Sequence, residues 1–171
     1  MTTVDPKATY ELRSCAAHPV HEHFRVGAFR ALLAAAPSDA QRAMLGELMY
    51  QSHASYSSVG LGSAATDQIV QLVRSLGPGS GLHGAKITGG GSGGTVCVLG
   101  DSTPAAEASL ERVLTAYEAL SGHSPHVFRG SSTGAVAFGH ISVDMTKGSA
   151  QLQPGADGAS GAASRTKRKA R

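Results

Sequence analysis

The stretch GAKITGGGSGGTVCVLG, residues 84–100, decides the fold, because it sets five glycines within the six positions Gly89 to Gly94 between two short β-branched runs. Each glycine costs roughly 0.5–1 kcal/mol relative to alanine through the conformational freedom it loses on folding. Five together cost about 3–5 kcal/mol, a large share of the ~5–15 kcal/mol that holds a typical domain together. An ordinary hairpin needs one or two glycines, so this bend presents bare backbone for a reason. The flanks, Ala85 to Thr88 and Thr95 to Leu99, read as antiparallel strands. Val96 and Val98 face one way and Cys97 and Leu99 the other, an apolar pattern on both faces that predicts a central strand.

Gly89, Gly91 and Gly94 satisfy G-x-G-x-x-G, but the pattern fails each test of context. A dinucleotide fingerprint needs a helix directly after the glycines, where Thr95 to Leu99 is strand-like instead. A P-loop needs G-x-x-x-x-G-K-[ST], and no lysine follows Gly94 until Lys147. The protein-kinase loop fits its letters, yet H-R-D and D-F-G are absent. What the three share survives: backbone N–H groups that an anion, or another backbone, can approach closely.

Outward from this hairpin the sequence reads as helices. Phe29, Leu32, Leu33 and Ala36 recur at helical spacing until Pro37, and Ser38 with Gln41 forms a capping box for the next and longest helix. On that helix Leu45, Leu48, Met49, Ser52, His53 and Tyr56 share one stripe, closed by Gly60 and Gly62. A third helix buries Ile69, Leu72, Val73 and Leu76 and stops at Gly77-Pro78-Gly79. A fourth starts with Thr103 as N-cap and Pro104 in its first turn, buries Leu110, Val113, Leu114 and Tyr117, and ends at Gly122. Further strands are expected over residues 10–16, 126–129 and 137–143. The order predicts an α+β fold of ferredoxin-like kind, an antiparallel sheet with helices packed on one face.

Aromatic residues are 5% of the 171, so the core must be built from Ala, Val, Leu and Ile. Two cysteines, Cys15 and Cys97, make no disulfide framework and no metal-ligand spacing. No run approaches the apolar length of a membrane span and the N-terminus lacks a secretory pattern, which gives a cytoplasmic protein without a membrane partner as the expectation. Of the formal charge of +3, Arg165, Lys167, Arg168, Lys169 and Arg171 supply five positives, leaving −2 for the remainder. Residues 146–171, rich in Gly, Ala and Ser, are expected to be a disordered basic tail. No aromatic accompanies those charges, so nucleic acid is not an expected partner apart from that tail.

LGELMYQSHASYSSVGLGSAATDQIVQLV followed by GAKITGGGSGGTVCVLG resembles the C-terminal half of the GHMP sugar kinases, nearest to the L-arabinokinases of plants and algae and next to the galactokinases. CAAHPVHEHFRVGAFRALL upstream and HVFRGSSTGAVAFGHISV downstream carry the same resemblance. It implies a GHMP kinase C-terminal domain over residues 13–145, with 1–12 as an extension or truncated strand. It also implies that Thr88, Gly89, Gly90, Gly91, Ser92, Gly93 and Gly94 stand where that family's third motif borders the phosphates of ATP and the sugar. Lys86 matches a basic position just before that motif, suited equally to the phosphates or substrate and to a surface salt bridge. Ser52, His53 and Ser55 match the S-H-x-S signature, with His53 as a hydrogen-bonded structural histidine rather than a proton shuttle. Asp67 matches an aspartate at the head of the third helix, where a carboxylate suits the helix dipole.

The chain departs from the family at Ala64 and Ala65, where an acidic residue and a glycine are usual, and it contains no P-x-x-x-G-L-[SG]-S-S phosphate motif. No residue is therefore assigned as catalytic and none as a metal ligand. ATP and Mg2+ are expected to be held mainly by an N-terminal lobe outside these residues. The expected function is one lobe of an ATP-dependent sugar-1-kinase, poorly active or inactive alone and completed by that lobe. The alternative is a non-catalytic nucleotide- or sugar-binding or regulatory module of the same fold.

Overall fold

A computed structural model describes residues 3–130, 134–146 and 148–153, and the chain divides into two compact units, one running through Pro125 and the other from His126. In the first unit three helices, α1 (Leu12–Leu33), α2 (Asp39–Ser58) and α3 (Ala64–Ser75), precede a hairpin of β1 (Leu82–Thr88) and β2 (Thr95–Gly100), and α4 (Pro104–Ser121) follows. The caps at Ser38, Thr103 and Gly122 are those read from the sequence, and the structure adds Ser63 for α3. Ser38, Ser63 and Thr103 each accept the amide three residues on, and Gly122 closes α4 in the left-handed conformation. One half of the capping box is redirected: the Gln41 side chain donates at 2.7 Å to the Leu32 carbonyl, tying the start of α2 to the end of α1.

β1 and β2 pair antiparallel, with Ala85 opposite Val98 and Ile87 opposite Val96. These apolar pairs share one face, and Val70 and Val73 of α3 with Ala106 and Val113 of α4 pack there as a core of small residues. The fold is thus α+β, with helices on one face of an antiparallel hairpin. The expectation that β2 is central is corrected. Among the described residues it pairs only with β1, and Cys97 on its other face is exposed. β1 is the buried strand, because α2 runs along its second edge.

That edge contact depends on two glycines. A Cβ added to Gly46 would lie 1.7 Å from the His83 carbonyl oxygen, and one added to Gly84 would lie 2.5 Å from the Gly46 Cα. Helix and strand backbones touch here with nothing between them.

Four further expectations are corrected. Residues 12–16 are the first turns of α1 rather than strand, since Leu12, Ala16 and Ala17 favour a helix that α2 then anchors; Pro19 sits on its exposed side. Residues 126–129 form no regular element, and of 137–143 the first part belongs to a short helical turn, α5 (Ala135–Phe138). After Gly139, β3 (His140–Asp144) pairs antiparallel with β4 (Ser149–Gln153). β4 falls inside the segment expected to be disordered; its ladder partner β3 supplies the backbone hydrogen bonds that composition could not foretell. Residues 154–171, including the basic end, lie outside the described residues. No helix among the described residues is long and apolar enough to cross a membrane.

Candidate functional site

The glycine loop is held by its own unit. The Ser92 amide donates to the Leu61 carbonyl at 2.6 Å, and the Tyr56 hydroxyl donates to the Gly89 carbonyl at 3.3 Å. Gly91 explains one part of the glycine requirement: it has φ 86°, and a Cβ there would stand 2.6 Å from the Leu61 Cβ and 2.7 Å from its carbonyl oxygen. The loop therefore lies against the α2–α3 connection on one side. On the other, Cβ atoms built at Gly89, Gly90 and Gly94 would meet nothing within 4 Å, so bare backbone faces open space.

His53 sits beneath the strand that leads into the loop. Its Nδ1 accepts the Ile87 amide at 3.2 Å, which leaves the ring proton on Nε2 to donate to Asp67 Oδ1 at 3.0 Å. Asp67, in the first turn of α3, also accepts from the Ser57 hydroxyl. One buried imidazole thus joins α2, β1 and α3, the three elements that frame the loop. Both ring nitrogens are engaged in structural bonds.

Lys86, on the uncovered face of β1, stands with its ammonium 5.1 Å from the centroid of the Tyr56 ring, a cation–π contact instead of the surface salt bridge weighed for it. Since Tyr56 also holds Gly89, the lysine charge and the loop share one support. Ser55 shares a 2.8 Å hydrogen bond with His18 Nδ1, and His18 meets the Tyr56 ring edge-on. Ser52 donates at 2.6 Å to Glu22, whose other oxygen pairs with Arg25. Burial pushes the Glu22 pKa upward, but the hydrogen bonds from Ser52 and Arg25 and the charges of Arg25 and Lys86 outweigh it, so the carboxyl titrates below its usual range.

The structure accordingly brings Ser52, His53, Ser55, Asp67, Lys86 and the 88–94 loop into one neighbourhood. His18, Glu22 and Arg25 belong to it too, and sequence reasoning missed them. Their spacing of four and three along a helix was the available signal, obscured by reading the start of α1 as strand. Among the described residues no group of three or more His, Cys, Asp or Glu side chains could hold a metal ion.

A second polar feature lies at the other end of β1, about 20 Å along the strand. It is a cleft of about 650 Å³ lined by Arg42, Tyr50, Arg74, His83 and Asp101, among others. The His83 hydrogen bond holds the Asp101 carboxyl below its usual range, helped by the His83 and Arg42 charges against a smaller upward pull from burial. No residue singled out from the sequence as a site lines it.

The bent glycine hairpin, the S-H-x-S helix and the small-residue core together define a known lobe. Residues 30–119 match the family model "GHMP kinases C terminal", and this chain belongs to that family. It is 44% identical over 149 residues to the L-arabinokinase of Arabidopsis thaliana, an alignment that covers 84% of this chain and 14% of that protein. The chain thus spans about one seventh of the length of the curated relative it matches.

Proposed function

We propose that this chain is the C-terminal lobe of an ATP-dependent sugar-1-kinase of the cytoplasm, acting on L-arabinose or a closely related sugar such as galactose. The single observation that carries the reading is the two-sided glycine loop. One side is fixed on Leu61 and Tyr56, while Gly89, Gly90 and Gly94 keep exposed backbone with room for an anion. That open backbone, with the Lys86 charge beside it on Tyr56, fits the phosphate side of a nucleotide. ATP, when bound, supplies the γ-phosphoryl group that passes to the anomeric hydroxyl. This lobe's residues orient: the loop offers N–H groups, Lys86 adds positive charge, and the His53–Asp67 pair keeps the strand end in register. Such positioning and charge stabilisation are most of what a phosphoryl-transfer site provides. The Mg2+ ligands and the catalytic aspartate belong to the N-terminal lobe that completes the site.

Two measurements test this. Titration of the isolated chain with Mg-ATP and L-arabinose, beside a coupled kinase assay, is expected to give weak nucleotide binding at most and no turnover; robust turnover would overturn the division of labour between lobes. In a chimera, the matched stretch of the full-length Arabidopsis protein is replaced by the aligned residues of this chain. It is expected to phosphorylate L-arabinose or galactose and to lose that activity with Gly91→Val. A folded chimera that phosphorylates neither sugar would favour the non-catalytic module.

A further inference from the structure

Helix α1 is built inside out. The face it turns to α2 carries His18, Glu22 and Arg25, bonded to Ser55 and Ser52 or to one another. Its opposite face is an exposed stripe of Ala16, Val20, Phe24, Gly27 and Ala31, at the spacing by which a helix normally meets a core. Val20 is 67% exposed and Phe24 72%, and none of the 22 residues of the helix is buried. The helix cannot simply roll over to hide the stripe, because that would break the His18–Ser55 and Glu22–Ser52 bonds that fix its rotation.

We infer that this stripe is the seat for an apolar, acid-rimmed surface of the larger polypeptide to which such a lobe belongs, an inference that rests on reading the chain as one lobe of a longer enzyme. Two observations select this occupant over a second copy of the chain. The first is charge. Arg13 lies on the stripe one turn before Ala16, and Arg30 lies beside its far end, both exposed. Antiparallel pairing of two copies sets Arg13 near Arg30 of the other, and parallel pairing sets arginine on arginine, repulsive either way. Glu22, the one carboxylate of the helix, faces inward and is already bonded, so it neutralises neither. The second is length: the matched stretch is 14% of the Arabidopsis relative, so most of that protein is available to cover it.

The test is hydroxyl-radical footprinting read residue by residue by mass spectrometry, on the isolated chain and on the full-length chimera. Phe24 oxidation is expected to fall about tenfold in the chimera, as at the dry centre of an interface, while exposed Leu120 on α4 stays unchanged. Phe24→Asp in the chimera is expected to restore oxidation at Val20. Equal Phe24 oxidation in the two proteins overturns the inference. So does protection already present in the isolated chain together with a dimer mass by light scattering, which would assign the stripe to a second copy. Should the chimera misfold, the residue aligned with Phe24 in the Arabidopsis protein itself gives the same reading against this isolated chain. Protection without sugar phosphorylation sustains the docking and overturns the reaction, whereas phosphorylation without protection does the reverse.

Discussion

The outer edge of β1 is sealed by α2 in two different ways. Near Gly84 the seal is steric: two glycines let backbones meet, and no side chain takes part. Near Ile87 it is a hydrogen bond, with the His53 ring satisfying a strand amide that no strand among the described residues reaches. A buried edge amide has to find a partner or cost about 1–3 kcal/mol, and α2 supplies one from a side chain. The first seal fails when atoms are added and the second when they are removed. Because the second lies next to the glycine loop, it alone links stability to the site.

The largest effect is expected from Gly46→Val. With a Cβ position 1.7 Å from the His83 carbonyl oxygen, helix and strand must separate, and we expect a loss of about 3 kcal/mol or more by denaturant unfolding. A nearly unchanged midpoint would show that the steric seal is not tight. His53→Ala comes next, at about 2 kcal/mol, since it strands the Ile87 amide. Its diagnostic sign is faster hydrogen exchange at Ile87 and in the following loop, with recovery in His53→Asn if the amide oxygen can accept in place of Nδ1. Gly91→Ala should cost about 1–3 kcal/mol through its left-handed backbone and its contact with Leu61, and should loosen the loop while leaving the Gly46 end unchanged.

The pH dependence divides the molecule in a related way. Because the folded Glu22 carboxyl titrates below its usual range, its contribution is fully present above the ordinary carboxylate pKa of about 4.3 and is lost as pH falls through the lower folded value. Glu22→Gln should therefore flatten part of the acid limb of thermal stability, and an unchanged acid limb would remove the Ser52–Glu22–Arg25 network from the account. Smallest of all, Lys86→Met should change stability by about 0.5–1 kcal/mol, the range of an exposed cation–π contact, and act mainly on nucleotide affinity in the assembled enzyme.

Legibility in the sequence followed the range of the interaction. Ser38, Thr103 and Gly122 announce helix ends because caps act within three or four residues, and the structure places them as read. The pairing of Val96 and Val98 on the core face also follows from alternation alone. The start of α1 was misread because residues 12–16 hold only Ala16 of the outward apolar stripe, too little to show a helical period, while the face turned to α2 is polar. β4 was missed for a similar reason: Ser149 to Gln153 becomes a strand through β3. Family resemblance singled out Lys86, His53, Ser55 and Asp67, which the structure places in one neighbourhood, whereas His18, Glu22 and Arg25 join them only through the α1–α2 contact.

By itself the sequence determined the caps, the alternation of the hairpin, the small-residue core and membership of a kinase lobe, all properties of local spacing or of shared motif. Only the tertiary structure decided that α2 rather than a third strand closes the edge of β1, that His53 spends both nitrogens on that closure, and that α1 turns its apolar side outward. These outcomes depend on which surfaces distant segments bring together, and a strand amide or a helix face carries no mark in the chain of the partner it will meet.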